Sequence, residues 1–181
     1  MLPLPYGLEP ETYEIKIIAR SVSDPTFEQT KRIYLTIPET HLVEVEDLDM
    51  LQEVFRGGDA PRTVNWEVTN NGNVDDAFYI DFDHLSDVSA EAMNLVSDSN
   101  GLRTPFIASG ESYNVTVTYS FDDEAFGDRT ISMMATSKAS PPDSSSVSGT
   151  GIAEFHVGDQ GWIVLLPPND VTISEPDNDI E

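Results

Sequence analysis

From Ser112 to Phe121 the chain alternates without a break: Tyr113, Val115, Val117, Tyr119 and Phe121 interleave with Asn114, Thr116, Thr118 and Ser120. A period of two places successive side chains on opposite faces of an extended strand, so one face is apolar and the other wet. A helix would scatter the same residues around its axis. The feature recurs in Val64, Trp66 and Val68, and again in Phe78, Ile80 and Phe82. Turn residues separate such segments, which predicts an all-β protein.

Further strands are expected at residues 41–46, 102–107, 129–137 and 151–157. The total is about seven, the number an immunoglobulin-like antiparallel β-sandwich needs. Asn70, Asn71, Gly72 and Asn73 supply residues that tolerate positive φ. They predict a hairpin between the strand of Trp66 and that of Phe78. A turn or two of helix is expected at residues 89–95.

An internal repeat orders these strands. Residues 15–21 (IKIIARS) align with residues 131–137 (ISMMATS) at an offset of 116, setting Ala19 on Ala135 and Ser21 on Ser137. Residues 33–37 (IYLTI) align with 153–157 (AEFHV), and 41–45 (HLVEV) with 161–165 (GWIVL), both at an offset of 120. The loop between the first two segments is thus four residues longer in the later copy. A period near 120 suits one whole sandwich of about 100 residues rather than a solenoid unit. The expected organisation is residues 1–38 as the last strands of a preceding repeat, 39–158 as a complete domain, and 159–181 as the start of a following repeat or an acidic linker. Pro167, Pro168 and the acidic run at 174–179 fit a linker that stiffens and repels.

The 181 residues include 33 acidic and 9 basic side chains, a formal net charge of −24. Residues 1–38 hold five acids and four bases, so nearly all the excess lies beyond them. Nucleic-acid binding needs clustered Lys and Arg to displace counterions, and anionic lipid repels such a chain; neither partner is expected. There is no Cys, which removes disulfides and thiolate metal sites. No apolar run is long enough to span a bilayer, and Met1-Leu-Pro-Leu-Pro lacks the features of a secretory signal, so an exported protein would carry its signal upstream.

Three stretches resemble the immunoglobulin-like domains repeated in tandem on archaeal and bacterial surface proteins, the cell-adhesion-related or NEW3-like family. They are residues 68–78 (VTNNGNVDDAF), 108–115 (ASGESYNV) and 127–137 (GDRTISMMATS). The resemblance implies an extracellular or cell-surface spacer, stalk or contact module without catalytic residues. Its partners would be other domains of the same protein, or cell-surface proteins and glycans.

The residues themselves offer few sites. Asp75, Asp76, Asp81 and Asp83 are candidate calcium ligands, since calcium takes hard oxygen donors at a loop rim. They lack the ordered spacing of a committed calcium loop, and the alternative is a solvated acidic face. The same choice applies to Asp87 and to Asp122, Asp123, Glu124 and Asp128. His41, His84 and His156 show no metal-ligand spacing and read as surface strand residues. Gly110, Glu111 and Ser112 do not continue into a nucleophile elbow, so no hydrolase is indicated and no enzyme is expected. Asn114-Val-Thr116 is a glycosylation sequon with Asn114 on the wet face of its strand. Trp66, Phe78, Phe82, Tyr113 and Tyr119 fall on inward faces, and Trp162 is expected in the core of the following copy.

The leading expectation is a non-catalytic structural or adhesive module. The alternatives are an accessory carbohydrate- or peptide-binding domain of a secreted enzyme, using residues 84–104, or a strand-exchanging subunit of a surface filament.

Overall fold

The computed structural model describes residues 8–49, 54–139 and 147–158. Among the described residues there are twelve strands: β1 (Thr12–Arg20), β2 (Glu28–Thr36), β3 (Val43–Asp47), β4 (Val54–Arg56), β5 (Arg62–Asn70), β6 (Phe78–His84), β7 (Val88–Ala92), β8 (Val96–Asp98), β9 (Gly101–Arg103), β10 (Ser112–Phe121), β11 (Gly127–Ser137) and β12 (Ser148–Gly158). β1 and β2 form a two-stranded sheet of their own. The rest form two sheets, ordered β3-β5-β10-β7 and β4-β12-β11-β6-β9-β8. All pairings are antiparallel except β4 with β12.

The two larger sheets face each other as an immunoglobulin-like β-sandwich. Seven of its strands have five residues or more, six of them where the alternation predicts a strand and the seventh, β7, where it does not; β4, β8 and β9 add three residues each. Val64, Trp66 and Val68 from β5 and Val115, Val117, Tyr119 and Phe121 from β10 are buried on one side. Phe78, Ile80, Ile131, Met133, Ala135, Ala153, Phe155 and Val157 are buried on the other. Each large side chain contributes about 1.5 to 3 kcal/mol by leaving water. Phe155 joins the sheets by stacking on Tyr119 at 4.6 Å between centroids and meeting Phe121 edge-on at 5.7 Å. Gly151 keeps β12 close to the facing sheet: a Cβ there would lie 2.7 Å from Val45 Cγ1 and 2.8 Å from Trp66 Cδ1.

Three expectations are corrected. The strand expected at residues 102–107 is cut short: only Gly101–Arg103 is extended, as β9, because the Thr104 hydroxyl accepts from Phe78 N at 3.0 Å and Ile107 keeps no more than an isolated bridge to Asp76. The strands of Trp66 and Phe78 do not form a hairpin, because β5 and β6 belong to different sheets. The intervening loop is an arch rather than a tight turn. Asn70 Nδ2 donates to the carbonyls of Val74 at 2.8 Å and Ile107 at 2.9 Å, and its Oδ1 accepts from Gly72 N at 3.0 Å. Asp76 then bridges to Ile107, and the two apolar faces meet across the core instead of lying side by side. Residues 89–95 are also not helical. Val88, Ala90 and Ala92 turn toward the core as β7, which pairs with β10 from Val117↔Ala92 to Phe121↔Val88. The open edge of β10 satisfies the β7 backbone better than a helical turn, whose carbonyls would need other partners.

Candidate functional site: the joint between hairpin and sandwich

The segment joining β2 to β3 lies against the arch that follows β5, and Asn73 is the centre of the contact. Its Oδ1 accepts from Thr40 N at 2.7 Å, while its own backbone N–H donates to Thr40 O at 3.0 Å. Its Nδ2 donates to Pro38 O at 3.0 Å and to Leu8 O at 3.3 Å. Leu8 precedes β1 and Pro38 follows β2, so one side chain holds both ends of the hairpin. Asn71 N extends the contact to Leu42 O at 3.0 Å.

Close approach requires Gly72, where a Cβ would sit 2.4 Å from Thr40 O. The arch is braced from behind by Ser109, whose hydroxyl donates to Gly72 O at 2.7 Å. Ile37 is buried beside the joint. These bonds satisfy backbone groups of an otherwise irregular segment, which fixes its path.

A second set of contacts lies beneath. Asp76 is 1% exposed. Its Oδ2 accepts from Ser137 Oγ at 2.5 Å and meets His41 Nδ1 at 2.9 Å, and its Oδ1 accepts from Ala77 N at 2.7 Å. His41 therefore ties the linker, through Asp76, to the segment that leads into β6 and to Ser137 at the end of β11. The composition of this trio matches a serine hydrolase, but the order does not. In a nucleophilic triad the imidazole stands between hydroxyl and carboxylate; here the carboxylate stands between the other two. The arrangement anchors a linker and does not present Ser137 to a base.

The candidate calcium ligands are distributed. Asp76 is committed to this anchor, Asp75 is exposed beside it, and Asp81 and Asp83 are exposed on the outer face of β6. Among the described residues no group of three or more His, Asp or Glu side chains is arranged to hold a metal ion. Asn114 is exposed on β10, and the hydroxyl of Thr116 in the same sequon donates to Asn65 Oδ1 at 2.9 Å. His84 and His156 are exposed strand residues, as expected, whereas His41 is not. Trp162 and residues 161–165 lie outside the described residues.

Elsewhere the charged groups make ordinary pairs. Arg129 Nε donates to Asp87 at 2.9 Å, and this hydrogen bond holds the Asp87 carboxyl below its usual value against the opposing effect of burial. Asp98 is lowered first by the Asn100 backbone N–H and then by Arg103 and Lys138. The joint itself was hidden in the sequence, where Asn70 to Asn73 reads as a turn and nothing distinguishes Asp76 from the acids around it. A signal was nonetheless present in three Asn flanking one Gly, more amide side chains than a two-residue turn uses.

The sequence matches no protein family and no curated protein. Solved structures resemble it distantly. A FixG-related protein from Vibrio parahaemolyticus is 19% identical over 65% of this chain and 95% of that one, with a TM-score of 0.42. Alpha-2-macroglobulin of Escherichia coli is 15% identical over 86% of this chain but only 12% of its own, at 0.43. A non-cellulosomal cohesin from the archaeon Archaeoglobus fulgidus is 11% identical over 66% of this chain and 94% of that one, at 0.37. Likenesses this distant transfer no role.

Proposed function

We propose that this chain is a non-catalytic structural module of a secreted or cell-surface multidomain protein, one that sets the position of its neighbour along a tandem array. Its immediate partners are the adjoining domains of the same protein, in the manner of the surface-protein repeats it resembles. The observation that supports this reading is the joint. Asn73 holds Leu8, Pro38 and Thr40 together, and His41 is anchored on the buried Asp76. A linker of free polar chain leaves its two ends independent; this one is bonded along its length.

The acidic surface suits the role. At −24 the chain repels copies of itself and anionic surfaces alike, which favours extension over collapse.

The absence of Cys gives a clean test. Spin labels on Ser23→Cys in the hairpin loop and Asp81→Cys on the sandwich should give one narrow distance distribution by electron–electron resonance. A broad distribution, insensitive to Asn73→Ala, would contradict a fixed joint and with it the proposed role.

A further inference from the structure

Among the described residues the β1–β2 hairpin pairs with no other strand, and one of its faces is largely apolar and exposed. Tyr13, Ile15, Ile17 and Ala19 share that face with Leu35 and Ile33, which they meet in the register Tyr13↔Leu35 and Ile15↔Ile33. Ile15 is 46% exposed, Ile17 50%, Ile33 45% and Leu35 37%. A contiguous face of this kind marks a surface meant to be covered.

What covers it can be read from β11 and β12. Applying the sequence offsets of 116 and 120 to the pair Ile15↔Ile33 gives Ile131↔Ala153, and the sandwich pairs these same two residues. The correspondence holds along the ladder: Tyr13↔Leu35 maps to Arg129↔Phe155, and Ile17↔Lys31 to Met133↔Gly151. The offset of 116 comes from the identities of Ile15, Ala19 and Ser21 with Ile131, Ala135 and Ser137, the offset of 120 from matching apolar alternation, and the register from backbone pairing. In the sandwich the equivalent face is closed. Ile131, Met133 and Ala135 are 0% exposed, and Ala153, Phe155 and Val157 are no more than 5% exposed.

We infer that the hairpin is the closing hairpin of a second immunoglobulin-like sandwich, and that its apolar face docks on the inner sheet of such a unit lacking its own last two strands. This rests on the array reading given above and names the surface by which neighbouring units share strands. The partner supplies a facing sheet of the β3-β5-β10-β7 kind. It also supplies a strand for the outer edge of β1, as β6 does for β11, and for the outer edge of β2, as β4 does for β12. Charge agrees with this occupant. Residues 12–36 contain four bases and three acids, so an acidic sandwich can approach the hairpin without the repulsion the rest of the chain would exert.

One position defines the partner further. Lys31 occupies the place of Gly151, where no Cβ fits beside Trp66. The unit that receives this hairpin therefore leaves more space at the equivalents of Val45 and Trp66 than this sandwich does.

The test uses the full chain, with residues 127–158 replaced by a second copy of residues 11–38. Ile33→Ala, Lys31→Gly and Gln29→Gly are made in the transplanted copy so that it meets Trp66 as Ala153, Gly151 and Gly149 do. A control carries residues 12–39 with the same changes, one step out of register, which turns every side chain to the opposite face. The in-register chain should unfold cooperatively within about 15 °C of the parent by near-ultraviolet circular dichroism, and the shifted chain should show no transition. Absence of a cooperative transition in the in-register chain, or equal behaviour of the two registers, would overturn the inference. Distances across the joint in the parent chain do not depend on either result, so the two readings fail separately.

Discussion

Asn73 grips Thr40 from two sides, accepting its N–H through Oδ1 at 2.7 Å and donating its own N–H to the Thr40 carbonyl at 3.0 Å. The backbone half of this grip survives truncation of the side chain; the bonds to Leu8 and Pro38 do not. Asn73→Ala removes three side-chain hydrogen bonds, each with a net worth of about 0.5 to 1.5 kcal/mol, and should therefore cost about 1 to 3 kcal/mol while widening the label-to-label distances across the joint. Urea unfolding and the distance measurement check the two parts separately. An unchanged width would show that Asn73 does not set the geometry.

Gly72 and Gly151 are required for space rather than for an unusual backbone. A Cβ on Gly72 meets Thr40 O at 2.4 Å, and one on Gly151 meets Val45 and Trp66 at 2.7 and 2.8 Å. The first contact is with a linker that can withdraw, the second with a packed core that cannot. Gly72→Ala is expected to loosen the joint with little loss of sandwich stability. Gly151→Ala should destabilise by about 1 to 3 kcal/mol, the usual cost of overpacking, as measured by chemical denaturation.

The cleanly alternating strands were legible in the sequence because alternation is a local property, visible in Tyr113 to Phe121 without knowledge of the fold; β7, whose inward positions are Val88, Ala90 and Ala92, was not. Sheet membership was not legible. Val64 to Val68 and Phe78 to Phe82 carry the same pattern whether they lie side by side or face each other, and only the Asn70 arch decides between the two. The joint was hidden for a related reason. Asp76 differs from exposed Asp75 only through Ser137 and His41, which are distant in sequence and near in space.

Acid should weaken the sandwich partly through Asp87. The Arg129 hydrogen bond holds its folded carboxyl below the ordinary 3.8, so the folded state binds this proton less readily than the unfolded state. The resulting stabilisation is fully present above that ordinary value and is lost as pH falls through the depressed one. Arg129→Met should lower stability at neutral pH and make the decline below pH 3.8 shallower. Denaturant midpoints of parent and variant, measured from neutral to strongly acid solution, should converge at the acid end. Parallel curves would remove Asp87 from the account.

Trp66 separates packing from hydrogen bonding in the core. It is 0% exposed, stands 6.3 Å from Phe82 between ring centroids, and has the one buried side-chain polar atom without a partner among the described residues, its Nε1. An unpaired buried donor costs about 1 to 3 kcal/mol, and that cost opposes the gain from burying the ring. Trp66→Phe removes the donor along with part of the ring, and the two effects offset. Its expected cost is below about 1.5 kcal/mol, as for other swaps that conserve most of the volume. Trp66→Ala leaves a cavity between β5 and β12 and should cost about 3 to 5 kcal/mol. Urea titration of both variants compares the effects directly; equal losses would mean that the indole N–H has a role in the core that its surroundings do not reveal.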